Sequence, residues 1–286
     1  MNKVDTRECV KTVTSNSFIT SSNLGKLSLK ARKLLYIAIA QCKKNDTNFY
    51  EYEISVQNFA EILDIKPQSI YQEIDKVTDE LMRGLLIVKM KDNKSFKKYS
   101  LFSKCEYNHS AGLIYFKLNE DMSIFLLNLK SDFTQPLLQD FMKMKSVYSI
   151  SIWHLMQREM HSAKPGVTNI IEFELSLKEL RQVTETQNKL KQLSEFKTRV
   201  FDKALKEIKN HCLIDITYEN VKKGRKVVAF RCKAKSKYYY DINVASKEHK
   251  NKLRYIELKM RQELTEQERQ EYESLSAKIA EMKLDF

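Results

Sequence analysis

The sequence predicts an α+β fold made of two copies of one unit followed by a charged helical tail, and three observations carry that reading. One order of elements (helix, short strand, helix, turn, longer helix, β-hairpin) occurs twice along the 286 residues. The copies share a motif at a fixed offset: Phe173-Glu174-Leu175-Ser176-Leu177 stands 121 positions after Tyr52-Glu53-Ile54-Ser55-Val56. Glycine and proline number only 5 and 3, so regular elements rather than linkers build the chain. That order is the winged form of the helix-turn-helix. The expected architecture is therefore two tandem winged helix-turn-helix domains related by duplication.

Residues 1–26 are polar and read as an N-terminal arm outside the core. The first domain spans 27–135. Ser28 suits the cap of a helix through LKARKLLYIAIAQCKK, with Leu34, Leu35, Ala38 and Ile39 as its buried stripe. YEYEI (50–54) alternates as a strand, and Ser55 caps VQNFAEIL. Pro67 fits the first position of the next helix, whose Ile70, Ile74, Val77 and Leu81 share one face, and Gly84 fits its stop. LLIVKM (85–90) and KKYSLFSKCEY (97–107) read as two strands around a polar turn, the wing, with LIYFKLN (113–119) as a third.

A helix (EDMSIFLLNL) and a loop around Pro136 lead into the second domain, 136–240. Its first helix is SVYSISIWHLMQREMHSA (146–163), followed by the strand IIEFELS and a short helix, LKELRQV, capped by Ser176. Leu193, Phe196, Val200, Ala204 and Ile208 mark one face of the long helix. CLIDITYE and VVAFRCKA flank a KKGRK turn as the second wing. Residues 241–286 form the charged helical tail, with Thr265 and Glu268 spaced as a capping box.

The net charge is +13, and it is not spread evenly. Between residues 191 and 240 fourteen basic residues face five acidic ones, which points to a polyanionic partner. In a winged helix-turn-helix the second helix of the pair enters the major groove, so its outward face carries recognition. In the second domain that face shows Lys191, Gln192, Lys197, Thr198, Arg199 and Lys203, beside the wing residues Lys222, Lys223, Arg225 and Lys226. In the first it shows Gln68, Ser69, Tyr71, Gln72 and Lys76, with Lys91, Lys94, Lys97 and Lys98 on the expected wing. Paired hydrogen bonds from Gln or Arg can read adenine or guanine, whereas Lys serves as a point charge for phosphate. Lys206 and Lys209 read as solvation of the helix and complement to its C-terminal dipole.

Catalytic and cofactor patterns are missing. Gly25-Lys26 lacks the rest of a phosphate-binding loop, and the five histidines contain no His-x-His pair. His154 and His161, seven apart, suit structural roles better than chelation. The five cysteines show no CxxC pair, which suits buried thiols in a reducing compartment. With no signal-like or membrane-spanning run, a soluble cytoplasmic protein without metal or cofactor is expected. The residues alone leave open a winged-helix regulator with no role in replication, a rolling-circle nicking enzyme, and a basic structural or RNA-binding protein.

Four segments resemble the iteron-binding plasmid replication initiators, the Rep proteins with tandem winged helices. They are LSLKARKLLYIAIAQ (27–41), KSVYSISIWHLMQ (145–157), FELSLKELRQV (173–183) and LKQLSEFKTRVFDKALKEIKNHCLIDITYE (190–219). In the last, Phe196, Lys197, Arg199, Val200, Ala204, Glu207 and Ile208 stand where the family pattern expects them. The resemblance spans roughly residues 15–240. It implies a non-enzymatic initiator that binds double-stranded direct repeats at a plasmid origin, helps open it, and recruits the host initiator and replicative helicase. It also implies a homodimer that represses its own gene. Lys197, Arg199 and Lys203 are the positions it marks first.

Overall fold

The computed structural model of the chain describes residues 12–21, 24–42, 46–63, 65–66, 69–90, 92, 94–129, 133–134, 136, 138–163, 170–212, 214–236 and 265–281. Two compact units divide the chain at residue 235, and the first holds both winged helices.

The chain enters the core earlier than its polar composition suggests. Thr12 donates its backbone N–H to the carbonyl of Pro136 at 2.9 Å, and β1 (Thr14–Ser15) pairs antiparallel with residues 133–134. Ser15 caps α1 (Asn16–Ile19), which buries Phe18 and Ile19. Residues 12–21 are therefore core, not arm. Ser28 then caps α2 (Leu29–Ala40) by accepting from the Ala31 N–H, as expected. This helix is buried on every side from Ala31 to Ile39, including Arg32 and Lys33, rather than along one stripe, because it lies between both domains.

The first domain continues with β2 (Tyr52–Ser55), α3 (Val56–Leu63) and α4 (Ile70–Met82), which buries Ile74, Val77 and Leu81. Ser55 accepts from the Asn58 N–H at 3.1 Å, so the expected cap forms. Pro67 lies outside the described residues. Next come β3 (Leu85–Lys89), β4 (Phe96–Ser100), β5 (Phe102–Asn108) and β6 (Leu113–Leu118).

The stretch 97–107 is not one strand. It breaks at Leu101, whose side chain is fully buried, whose N–H binds the Gly84 carbonyl, and whose carbonyl accepts from Asn119. β3 and β4 form a separate two-stranded ribbon, while the three-stranded sheet has the order β2-β6-β5. Nor does Gly84 end α4 through a left-handed backbone. A Cβ there would meet the Leu101 Cδ1 at 2.8 Å and the Leu81 carbonyl at 3.0 Å, so the position needs space.

A short α5 (Ser123–Leu126), β7 (Phe133–Thr134) and α6 (Leu138–Lys143) lead to α7 (Val147–Ser162), capped by Ser146. The second copy then repeats the first: β8 (Ile170–Ser176), α8 (Leu177–Val183) and a long helix, α9. α9 is built of Leu193–Phe196, a π turn at Lys197–Phe201, and Asp202–His211. β9 (Ile214–Lys223) and β10 (Lys226–Ser236) complete it, with sheet order β8-β10-β9 matching that of the first domain. Ser176 sits at the start of α8 as expected, but its side chain makes no capping hydrogen bond. In the separate unit, α10 (Glu266–Glu281) begins with the expected capping box: Glu268 accepts from the Thr265 N–H, and Thr265 Oγ1 from the Glu268 N–H. Residues 241–264 lie outside the described set.

No gap separates the domains near residue 135, because α7 belongs to both. Toward the second domain Arg158 binds the Glu179 carboxylate at 2.7 Å. Toward the first, Ser151 Oγ accepts from Arg32 at 2.8 Å, and His154 lies buried between Thr14 and Tyr36. Tyr36 Oη lies 2.9 Å from His154 Nδ1 and Thr14 Oγ1 lies 2.8 Å from Nε2, so a neutral ring can donate to one hydroxyl and accept from the other. His154 is thus held neutral. Burial, then the positive charges of Arg32 and Arg158, push its pKa down to about 3.

This arrangement has a sign. A histidine depressed in the folded state gives stability that is complete above the unfolded value, ~6.5, and lost as pH falls toward 3. Asp140, raised to about 6 by burial, acts with the opposite sign between its unfolded value and 6. Comparing wild type with His154→Gln cancels Asp140. Denaturant unfolding from pH 7.5 to 4.5 should show wild type losing up to about 1.4 kcal/mol per pH unit more than the variant below ~6.5. Parallel curves would refute the assignment.

Candidate nucleic-acid interface

The second domain presents its helix and wing on a common scaffold. α8 and α9 are joined by a turn in which Glu185 and Leu190 take left-handed backbone angles, an unfavourable conformation for residues with side chains. Arg181 holds the turn. Its guanidinium donates to the carbonyls of Thr186 (3.2 Å), Lys189 (3.2 Å), Leu190 (3.0 Å) and Lys191 (3.3 Å), and lies 4.7 Å above the Phe196 ring. Thr184 and Thr186 are buried beneath and hydrogen-bonded to each other at 2.9 Å. Gln192, at the start of α9, caps nothing with its side chain. The first turn of the helix is therefore set by Arg181 from outside.

The π turn shapes the outward face. In it the Asp202 N–H reaches the Lys197 carbonyl, five residues back, so an extra residue fits into the turn. Val200 and Phe201 are both buried, with Phe201 stacked on Phe230 at 4.5 Å, while Thr198 and Arg199 face solvent. Lys191, Gln192, Lys203 and Lys206 are exposed as well. Lys197 differs from the others. It is half-buried, with its Nζ 5.1 Å from the Tyr218 ring and 5.9 Å from Phe230, so it ties the helix to the wing strands.

At the wing tip Gly224 adopts φ 63°, and Lys222, Lys223, Arg225 and Lys226 are all exposed. Position along the strands decides which cations are paired. Near the body Lys209 binds Asp215, Lys233 binds Glu172, and Arg231 binds Glu174 and Glu219. Lys191, Arg199, Lys203, Lys206, Lys222, Lys223, Arg225 and Lys226 have no ion-pair partner among the described residues.

The first domain is different. On α4, Tyr71, Gln72 and Lys76 are exposed, and Ser69 is half-buried with its hydroxyl on the Lys66 carbonyl. Gln68 and Lys91 lie outside the described residues. Lys94, Lys97 and Lys98 are exposed, but on the β3–β4 ribbon and not on the wing. The shared sheet order makes the β5–β6 turn, residues 109–112, the counterpart of the basic tip 223–226. There Tyr107 and His109 join Tyr71: Tyr107 Oη lies 2.9 Å from His109 Nδ1, and the Tyr71 ring is 5.9 and 5.6 Å from the Tyr107 and His109 rings. Of these residues the sequence marks Tyr71, as part of the outward face of α4, whereas Arg181, Tyr107 and His109 carry no site signal in it.

Among the described residues no group of three His, Cys, Asp or Glu could hold a metal ion, and no helix is long and apolar enough to cross a membrane. The described cysteines, Cys42, Cys105, Cys212 and Cys232, are free thiols. Burial raises their pKa values, to about 11 for Cys105 and about 12 for Cys232.

Residues 11–157 match the family model described as initiator replication protein, WH1, and residues 176–232 that of initiator Rep protein, WH2. The chain belongs to the initiator replication protein family. A solved structure described as the Pi initiator protein in complex with iteron DNA is similar to it in fold, with a TM-score of 0.67 and 19% identity. The match covers 80% of this chain and 98% of that one. The WH1 match takes in the first two thirds of α7, in keeping with a helix shared by both winged helices of this initiator.

Arg181 gives the interface a direct test. Arg181→Ala should destabilise the initiator by about 2–3 kcal/mol in urea unfolding, since hydrogen bonds to a charged group are the stronger kind. Arg181→Lys should recover only part, because a single ammonium cannot replace the planar fork. An unchanged midpoint for Arg181→Ala would show that backbone bonds alone hold the turn.

Proposed function

We infer that this initiator acts at a plasmid origin by binding double-stranded direct repeats (iterons), without catalysing a reaction itself. The observation that carries the reading is the set of unpaired cations on α9 and the second wing, in a chain whose two winged helices both match the initiator family. The Pi initiator, similar in fold, is described in complex with iteron DNA, which supports the same class of ligand. α9 enters the major groove from its first turns, with Gln192, Thr198, Arg199 and Lys203 toward base edges and phosphates. The wing residues Lys222, Lys223, Arg225 and Lys226 follow the adjacent backbone. Lys94, Lys97 and Lys98 on the β3–β4 ribbon add phosphate contacts outside the wing. Opening of the origin, recruitment of the host initiator and helicase, and repression by a homodimer complete the proposed role in the bacterial cytoplasm.

Binding to a duplex carrying the replicon's own direct repeats, against a shuffled duplex over a salt series, tests this. Wild type should prefer the repeats. Arg199→Ala should lose about tenfold or more of that preference, while Lys222→Ala should weaken both duplexes alike and lower the salt slope by about one. Equal affinity for the two duplexes would sink the reading. Specific binding without loss of replication on gene deletion would point to a regulator.

A further inference from the structure

The two winged helices place different chemistry at equivalent points. In the second, the start of α9 and the wing tip carry unpaired cations. In the first, the start of α4 carries Tyr71, 54% exposed, and the strand and turn of the equivalent wing carry Tyr107 and His109. The three rings form one patch, with centroids 5.6 to 6.0 Å apart, that joins the helix to the hairpin. Tyr50 and Phe96 are exposed to a similar degree; what sets Tyr71 apart is that two further rings are gathered beside it across the helix and the hairpin.

The charges around this patch are mostly cancelled locally. Glu73 binds Lys30, Asp79 binds Arg83, and Lys104 lies between Glu51 and Glu106. Asp75 and Lys76 are exposed with opposite signs. This face therefore has little of the phosphate-seeking surplus of the second domain. It offers hydroxyls, a ring nitrogen and flat apolar surface instead. Hydroxyls donate to phosphate or accept from base edges, and rings pack on sugars and thymine methyls. Burial at the ring contacts, followed by Tyr71, raises the Tyr107 pKa, so its hydroxyl stays a donor and is a poor nucleophile.

We propose that Tyr71, Tyr107 and His109 form the first domain's contact with duplex DNA, adding affinity and selectivity with little dependence on salt. The proposal rests on the reading of the chain as a repeat-binding initiator. At the helix start and wing tip the two domains thereby differ: the second places counterion-releasing cations there, and the first places a short-range contact that exists only when the groove fits, its phosphate-facing lysines standing apart on the β3–β4 ribbon.

The test uses the full chain at pH 8 on the repeat and shuffled duplexes, across salt, with Tyr71→Ala, Tyr71→Phe and His109→Ala. Tyr71→Ala and His109→Ala should each weaken repeat binding about tenfold, with the slope of log affinity against log salt unchanged. Tyr71→Phe should fall between wild type and Tyr71→Ala, since it keeps the ring and loses the hydroxyl. Thermal melting checks that each variant folds. Should one fail to fold, wild type photo-cross-linked to repeats containing 5-iododeoxyuridine decides, with adducts expected on Tyr71, Tyr107 or His109. Unchanged affinity in the folded variants, a reduced salt slope, or adducts confined to the second domain would overturn the proposal. Wild type with no preference for the repeats would instead overturn the initiator reading, and this proposal with it.

Discussion

A buried cation with no acidic partner among the described residues sits where the two winged helices meet. Arg32 is 3% exposed; its guanidinium donates to the Ser151 hydroxyl, its Nε meets no hydrogen-bond partner, and no carboxylate among the described residues pairs with it. Burying a charge in this way is costly unless its donors are met. That cation lies beside one buried chain of hydrogen bonds linking Tyr36, His154 and Thr14. It also forbids a second charge. A protonated His154 would face Arg32 and Arg158 in the same dry junction. The first domain and the N-terminal strand are joined to the second through a histidine that must stay neutral.

The pattern of ion pairs has its own logic outward from that junction. Strand residues close to the body carry cations neutralised by neighbours across the sheet, as with Arg231 between Glu174 and Glu219. Such exposed pairs add little stability, typically below about 1 kcal/mol. Their effect is to leave the surplus where the partners stop, at the wing tip and along α9. A phosphate ligand then finds cations whose water and counterions are displaced without breaking an internal contact.

Local features were the most legible in the sequence. Ser28, Ser55 and the Thr265–Glu268 pair cap the helices they were read to cap, because a cap depends on residues three apart. The duplication was legible through the repeated strand motif, and the two sheets share one strand order. The first wing was misplaced because nothing local marks the break at Leu101; it follows from backbone bonds to Gly84 and Asn119, 17 and 18 residues away. The N-terminal segment looked like a solvated arm because Thr14 is polar, yet that hydroxyl is what a buried His154 requires. Arg181 left no signature, since its acceptors are carbonyls, which every sequence contains. Spacing places six residues on the outward face at α9, of which Lys191, Gln192, Thr198, Arg199 and Lys203 are exposed, but the Lys197 contact with Tyr218 depends on how the π turn rotates the helix.

Duplication followed by divergence at the tips also answers a problem that a doubly basic protein would face. Charge attracts any duplex, so two equally basic domains would raise binding to random DNA as fast as binding to the repeats. Linkage changes what the weaker domain must supply. Once the second domain is seated, the first meets its own stretch of groove at an effective concentration in the millimolar range, where even modest contacts count. A domain in that position gains discrimination from shape, hydroxyls and rings, and gains nothing selective from more lysine. The paired charges around Tyr71 are what such a division of labour requires: attraction from one copy, fit from the other, and a neutral histidine between them fixing how the copies meet.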